Sequence, residues 1–158
     1  MLHIQRYHAS QIEEIITLFY NTVHYINAAH YSAKQLQAWA PPEERSNKAD
    51  SWQLSLQQNI TYIAMQDGII VGFSDMSDDG HLDRLYVHKD YQRQGIATAL
   101  LTQIQSDAEQ LQLDSIYTEA SITAKPFFEH HGFQVEQMQQ VERDQVSLTN
   151  YVMSKALG

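Results

Sequence analysis

Apolar residues recur at three- and four-residue intervals from Ile12 through Ile15, Ile16, Phe19 and Val23 to Ile26, which predicts an amphipathic helix capped by Ser10, following a first strand over Leu2 to Tyr7. The same period returns at Ile96, Leu100, Leu101, Ile104, Ala108 and Leu111 and predicts a second long helix ending near Gln112. A helix over about 47–59 has Trp52, Leu54 and Leu56 as its apolar members. Elsewhere the pattern shortens to strand-like runs. Tyr62 to Met65 and Ile69 to Phe73 flank Gln66-Asp67-Gly68, a hairpin whose Asp-Gly pair supplies positive φ. Ser77-Asp78-Asp79-Gly80 then turns the chain into a strand from His81 to Val87. Beyond the second long helix, Ser115 to Ser121 reads as a strand. A short helix from Lys125 to His131 is opened by Pro126 and closed by Gly132, and strands follow over Phe133 to Val141 and Val146 to Ser154. The stretch from Tyr25 to Pro42 is aromatic and polar, and predicts a short helix or loop lining a cleft. The order β-α-α-ββ-β-α-β-α-β-β defines an α/β domain with a mixed sheet.

Between the strand ending at Val87 and the helix starting at Ile96 lies Gln92-Arg93-Gln94-Gly95-Ile96-Ala97. The first turn of a helix has N–H groups without intrahelical partners and a partial positive charge, so it attracts phosphate oxygens. Gly95 lets the backbone come close, and Arg93 can add a charge-assisted contact. Neither G-x-G-x-x-G nor the P-loop pattern occurs. The fragment alone is equally compatible with an ordinary strand-to-helix turn.

Composition narrows the partners. The 158 residues are expected to form one domain over 1–158, long enough to bury roughly two thirds of its unfolded surface. A formal charge of −9 disfavours nucleic acid and anionic membranes and favours amines. With no cysteine, thiolate metal sites, disulfides and cysteine nucleophiles are excluded. No signal peptide, lipidation motif or membrane-length apolar run is apparent, so the expected location is the cytoplasm. His130-His131 face different ways on a helix and no H-E-x-x-H spacing exists, so no metal is expected.

With the loop placed between the fourth strand and a long helix, the chain resembles the GNAT superfamily of acetyl-CoA-dependent N-acetyltransferases. Gln92, Gly95 and Ala97 match the family's [RQ]-x-x-G-x-[GA] loop, and Ala124-Lys125-Pro126-Phe127-Phe128-Glu129-His130-His131-Gly132-Phe133 is similar to its A-x-x-F-[YF]-x-x-x-G-F segment. Asn27-Ala28-Ala29-His30-Tyr31 and Gln35 to Pro41 also look like a bacterial branch called YafP-like. The resemblance implies a single-domain fold with a mixed, mostly antiparallel sheet of about seven strands flanked by helices and splayed between strands four and five. It implies that acetyl-CoA is gripped by Gln92, Arg93, Gln94, Gly95, Ile96, Ala97 and Thr98. Leu85, Tyr86 and Val87 would pair with the pantetheine arm, and Phe127 and Phe128 would wall it. It further implies a small-molecule or protein amine as acceptor, and a monomer or homodimer.

Acetyl transfer requires that the amine lose its proton, that the thioester carbonyl be polarised and that the thiolate leave. A backbone N–H near Val87 can serve the carbonyl. Two-residue alternation would place His81, Asp83, Leu85 and Val87 on one face. Asp83 or His81 is therefore the first candidate base, and Glu119 on the next strand the third, each with a purely structural alternative. Phe128 occupies the position where many family members carry a tyrosine that protonates the thiolate. Tyr25, Tyr31 and Trp39 are candidates to hold the acceptor by cation–π contact. The function expected is direct transfer from acetyl-CoA to a primary amine. The alternative is a CoA-binding module that has lost turnover.

Overall fold

In the computed structural model, which describes residues 1–158, the seven strands lie in the order β1-β2-β3-β4-β5-β7-β6. Strand β1 (His3–Arg6) pairs with β2 (Ile60–Gln66), which continues through β3 (Ile69–Met76) and β4 (His81–Val87) as an antiparallel meander. Asp67 and Gly68, at φ 56° and 77°, make the β2–β3 turn, as the Asp-Gly pair predicts. The crossover helix α4 (Ile96–Gln110) then brings in β5 (Ser115–Ser121) parallel to β4, because a helical crossover returns the chain in the same direction. Strand β7 (Val146–Ala156) lies between β5 and the edge strand β6 (Gln134–Arg143). The sheet is mixed and mostly antiparallel, with its single parallel pair where the splay is expected. Only two rungs, His81 with Tyr117 and Leu82 with Thr118, join β4 to β5.

Each face of the sheet carries its own apolar cluster. On one side α1 (Ile12–Tyr25), α2 (Ala33–Trp39) and α3 (Arg45–Gln58) bury Ile15, Phe19, Leu36 and Leu56 against Phe73 and Ile63. On the other, α4 and the short α5 (Lys125–His130) bury Ile96, Leu100, Ile104 and Phe128 against Leu82, Ile116 and Met153. Gly72 lets α4 settle onto the sheet: a Cβ there would lie 2.9 Å from Ile96 Cγ2, 3.1 Å from Leu100 Cδ1 and 3.1 Å from the Tyr86 carbonyl.

Two sequence expectations are corrected. Ser10 does not cap α1; it lies inside a 3-10 turn over Ala9–Gln11, which opens where the Gln11 side chain accepts from the His8 N–H at 2.8 Å. Leu54 is not an apolar-face residue. It lies two positions from both Trp52 and Leu56, about 200° around the helix, and is 63 % exposed. In the stretch 25–42 the short helix, one of the two expected forms, is present as α2. Ser32 and Gln35 form a reciprocal capping box that starts α2, with a 3-10 turn on either side.

Candidate active site

The site begins with a bulge. Met76 pairs with Leu82 and Asp75 with Arg84, so Asp83 is an extra residue on β4. The insertion reverses the alternation beyond it and overturns the expectation that His81, Asp83, Leu85 and Val87 share a face. Leu85 and Val87 pack with Leu82 on the α4 side, whereas Tyr86 packs against Phe19 and Phe73 on the α1 side. Asp83 is also the first β4 residue beyond the last rung to β5. It therefore stands where the two strands part, its side chain 40 % exposed and its carboxylate 3.7 Å from Arg84 Nη2.

Past this point β4 has an open edge. The His88 N–H donates to the Val71 carbonyl at 2.8 Å, and alternation directs the N–H and C=O groups of Leu85 and Val87 the opposite way, toward the gap. The Val87 carbonyl is already occupied, accepting from the Thr22 hydroxyl and from Gln92 Nε2, both at 2.8 Å. Those contacts pin α1 and the following loop to the end of β4. The Gln92 amide is therefore engaged with the strand end rather than held free above the loop.

The loop has the geometry that its glycine allows. Arg93 and Gly95 have φ of 61° and 80°, and Gly95 is the left-handed residue that opens α4. The first intrahelical bond runs from the Ala99 N–H to the Gly95 carbonyl, which leaves the N–H groups of Ile96, Ala97 and Thr98 without helical acceptors. A Cβ on Gly95 would meet nothing within 4 Å, so the surface above it is open. Arg93, Gln94 and Thr98 are exposed, whereas the Ile96 side chain is core. Thr98 Oγ1 lies 3.1 Å from His131 Nε2, tying the start of α4 to the end of α5; burial, followed by the charges of His130 and Lys155, holds the His131 pKa below its ordinary value.

At the closed end of the gap, His81 Nε2 lies 2.8 Å from Glu119 Oε1 and its ring stacks on Tyr117 at 4.8 Å. Burial, assisted by Asp79 and Glu119, raises the Tyr117 pKa. On the α3 side, Arg84 donates to the buried Asp75 carboxylate, to Ser55 Oγ at 2.8 Å, and lies over the Trp52 ring at 4.5 Å. Burial raises the Asp75 carboxyl to about 6 against the pull of Arg84 and Asn59, and its Oδ1 is buried without a hydrogen-bond partner. Tyr86, in an aromatic nest with Phe19 and Phe73, has its phenol pKa pushed up by burial.

The three aromatic acceptor candidates do not form one pocket. Tyr31 is buried; its hydroxyl donates to the Thr149 carbonyl at 2.6 Å and accepts from the Ile122 N–H at 2.9 Å, joining the α2 region to β7 and the end of β5. Trp39, half-buried, packs edge-on to Tyr31 at 5.3 Å. Tyr25 is 67 % exposed and lies elsewhere, under Lys89 Nζ at 4.9 Å. Phe128 is 3 % exposed in the core beside Phe133, while Phe127 is half-buried against His131. The sequence reading gave no role to Lys48, Arg84 or Arg143, whose charges act together on the α3 side of β4 from three separate elements. No local spacing connects them. No group of three or more His, Cys, Asp or Glu side chains is placed to hold a metal ion, and no helix is long and apolar enough to cross a membrane.

A seven-stranded sheet parting after a β4 bulge, with a glycine-opened helix at its mouth, is the architecture of an acyltransferase, and residues 27–155 match the acetyltransferase (GNAT) domain family. The chain belongs to that family. It is 32% identical over 152 residues to the uncharacterized N-acetyltransferase YafP of Escherichia coli K12, covering 96% of this chain and 94% of that protein. Among solved structures it is similar to a GCN5-related N-acetyltransferase from Rhodopseudomonas palustris, with a TM-score of 0.91, 26% identity and coverage of 98% and 95% of the two chains. It also shares its fold with YncA from Salmonella typhimurium, solved with its cofactor acetyl-CoA, at a TM-score of 0.74, 16% identity and coverage of 100% and 95%.

Proposed function

We propose that the protein transfers acetyl from acetyl-CoA to a primary amine by direct attack, with no covalent enzyme intermediate. The observation that carries this reading is the continuity of two binding features. The loop that presents the unpaired N–H groups of Ile96, Ala97 and Thr98 is pinned through Gln92 to the end of β4, the strand whose edge is left without a β5 partner beyond Leu82. The loop suits a pyrophosphate, because the first three N–H groups of α4 have no helical acceptor and a Cβ on Gly95 would meet no protein atom within 4 Å. The parted edge suits an amide-bearing arm, which can pair with Leu85 and Val87 as an added strand. When bound, the acyl-CoA supplies an activated thioester; the other parts belong to the chain.

The N–H of Val87 polarises the acyl oxygen by donating a hydrogen bond to the negative charge that develops on it. Asp83 takes the amine proton, because the bulge sets its carboxylate at the fork of the two strands. The His81 and Glu119 pair closes the gap beyond it and positions the β5 side. Phe128 cannot donate a proton and is buried in the core, so the thiolate leaves to solvent or a water-borne proton. A thiol pKa near roughly 8.5 makes that departure tolerable around neutral pH.

Thiol release from acetyl-CoA across a panel of primary amines tests the proposal. Release that depends on both protein and amine supports it. Tight CoA binding without release on any amine overturns it in favour of a CoA-binding module, the reading to which Phe128 lends weight.

A further inference from the structure

We infer that the acceptor is a primary amine that also carries an anionic group, of the amino-acid class, and that Lys48 and Arg143 receive that anion. The inference rests on the acetyl-transfer reading above. It starts from an anomaly of charge. The chain carries −9, yet on the α3 side of β4 three cations from three elements come close enough for the charges of two to act on the third: Arg84 on β4 and Arg143 at the tip of the β6–β7 hairpin both act on Lys48 of α3. Lys48 Nζ lies 5.7 Å from the centre of the Trp52 ring and 5.8 Å from that of Phe19, while Arg84 Cζ lies 4.5 Å from the Trp52 ring. Phe19 in turn packs edge-on to Tyr86 at 5.0 Å, so Lys48 and Arg84 share one aromatic floor with the β4 residue three positions beyond Asp83.

Arg84 is already neutralised by Asp75 and Asp83. Lys48 and Arg143 are not. Neither has a carboxylate within 4 Å and neither donates a side-chain hydrogen bond. Glu44, one turn earlier in the chain, is the carboxylate that stabilises the Lys48 charge, and it does so without contact. Against that pull, burial first, and then the Arg143 and Arg84 charges, hold the Lys48 pKa below its ordinary value. A half-buried lysine beside an aromatic floor, with a second cation acting on it and no carboxylate in contact, is unfavourable unless a third group completes the arrangement. An anion would do so. With the anion on Lys48 and Arg143, the amine of the same small molecule reaches toward the Asp83 carboxylate, the one acidic group at the fork. Ammonium recognition by the aromatic rings alone would place a cation beside Lys48, which is repulsive.

The test uses matched pairs of amines, glycine and glycinamide, phenylalanine and phenylalaninamide, and aminoethylphosphonate and propylamine, titrated into the CoA-loaded protein. At least one anionic member is expected to bind tenfold or more tightly than its neutral partner. Lys48→Gln and Arg143→Gln should each remove most of that preference, and Lys48→Arg should retain it. Arg143 is exposed at a hairpin tip, so its variant reports without risk to the core. Equal binding within every pair, or a preference that both variants leave unchanged, overturns the inference. Thiol release, followed in parallel, judges the underlying reaction separately. Preferential binding of the anionic amines with no release from any of them would keep the anion site and overturn acetyl transfer. Release that favours the neutral amines would do the reverse.

Discussion

His81 Nε2 and Glu119 Oε1 are 2.8 Å apart across the last place where β4 and β5 are still paired, and the imidazole stacks on Tyr117 beside them. Asp83 sits one step further on, where the pairing ends. If Asp83 is the base, Asp83→Asn should lower kcat by roughly 100-fold or more, the range of a positioned general base. His81→Gln and Glu119→Gln should each cost no more than roughly tenfold, and their double variant little beyond either single change, since both disrupt one hydrogen-bonded pair. Steady-state thiol release for the four variants decides the matter. A fall with His81→Gln that exceeds the fall with Asp83→Asn would move the base to the imidazole.

Gly95 separates backbone strain from ligand contact. At φ 80° any L side chain costs about 1 kcal/mol, yet its Cβ would touch no protein atom. Gly95→Ala should therefore lose only about that much stability, while CoA affinity falls roughly tenfold, because the methyl group stands where the phosphates approach the α4 amides. Gly95→Asn, more tolerant of the left-handed region, should recover part of the stability and none of the affinity. Denaturation and CoA titration on the same samples check this. Unaltered CoA affinity in both variants would remove the loop from the binding site.

The periodic elements were legible in the sequence, and the loop between them gained its meaning from its position. Strands β4 and β5 fall at the expected bounds, as does the start of α4, because their patterns are strong and their ends are marked by glycine or by polar turns. The site's side chains were less legible. Alternation fails at Asp83 because a bulge depends on how β3 pairs with β4, which no property of residues 81–87 reveals. Tyr31 is spent on two backbone partners, at Thr149 and Ile122, far along the chain. The charges of Lys48 and Arg143 act on each other only because the β6–β7 tip lies on the side of the sheet that α3 covers, where Val146 packs against the core.

Gly72 tests the seating of α4, and with it the position of the phosphate loop. A methyl group there would press on Ile96 at 2.9 Å, and also on the Tyr86 carbonyl at 3.1 Å, which is backbone and cannot rotate away. Gly72→Ala should cost about 1–3 kcal/mol, as overpacking does, and lower Tm by on the order of 5 °C. CoA affinity should fall as well, because Ile96 belongs to the first turn of α4. Thermal denaturation with and without CoA measures both effects, and a variant as stable as the parent would show that the helix is not held against β3 at this point.

Asp75 makes stability depend on pH in a direction opposite to that of a surface carboxylate. Its folded-state pKa, about 6, lies above the ordinary value of 3.8, because burial and an unpartnered Oδ1 outweigh Arg84 and Asn59. The folded protein therefore holds a proton on Asp75 that the unfolded chain releases between these values. This contribution is fully present below about pH 4 and is lost as pH rises through about 6, to a limit of about 3 kcal/mol. Asp75→Asn keeps the shape of the protonated form and cannot titrate. The stability of the parent minus that of Asp75→Asn should accordingly fall by about 2–3 kcal/mol from pH 4 to pH 7, measured by urea denaturation at intervals across that range. A difference that rises with pH would mean that Arg84 wins over burial and that Asp75 is ionised throughout, locked to the guanidinium beside the proposed base.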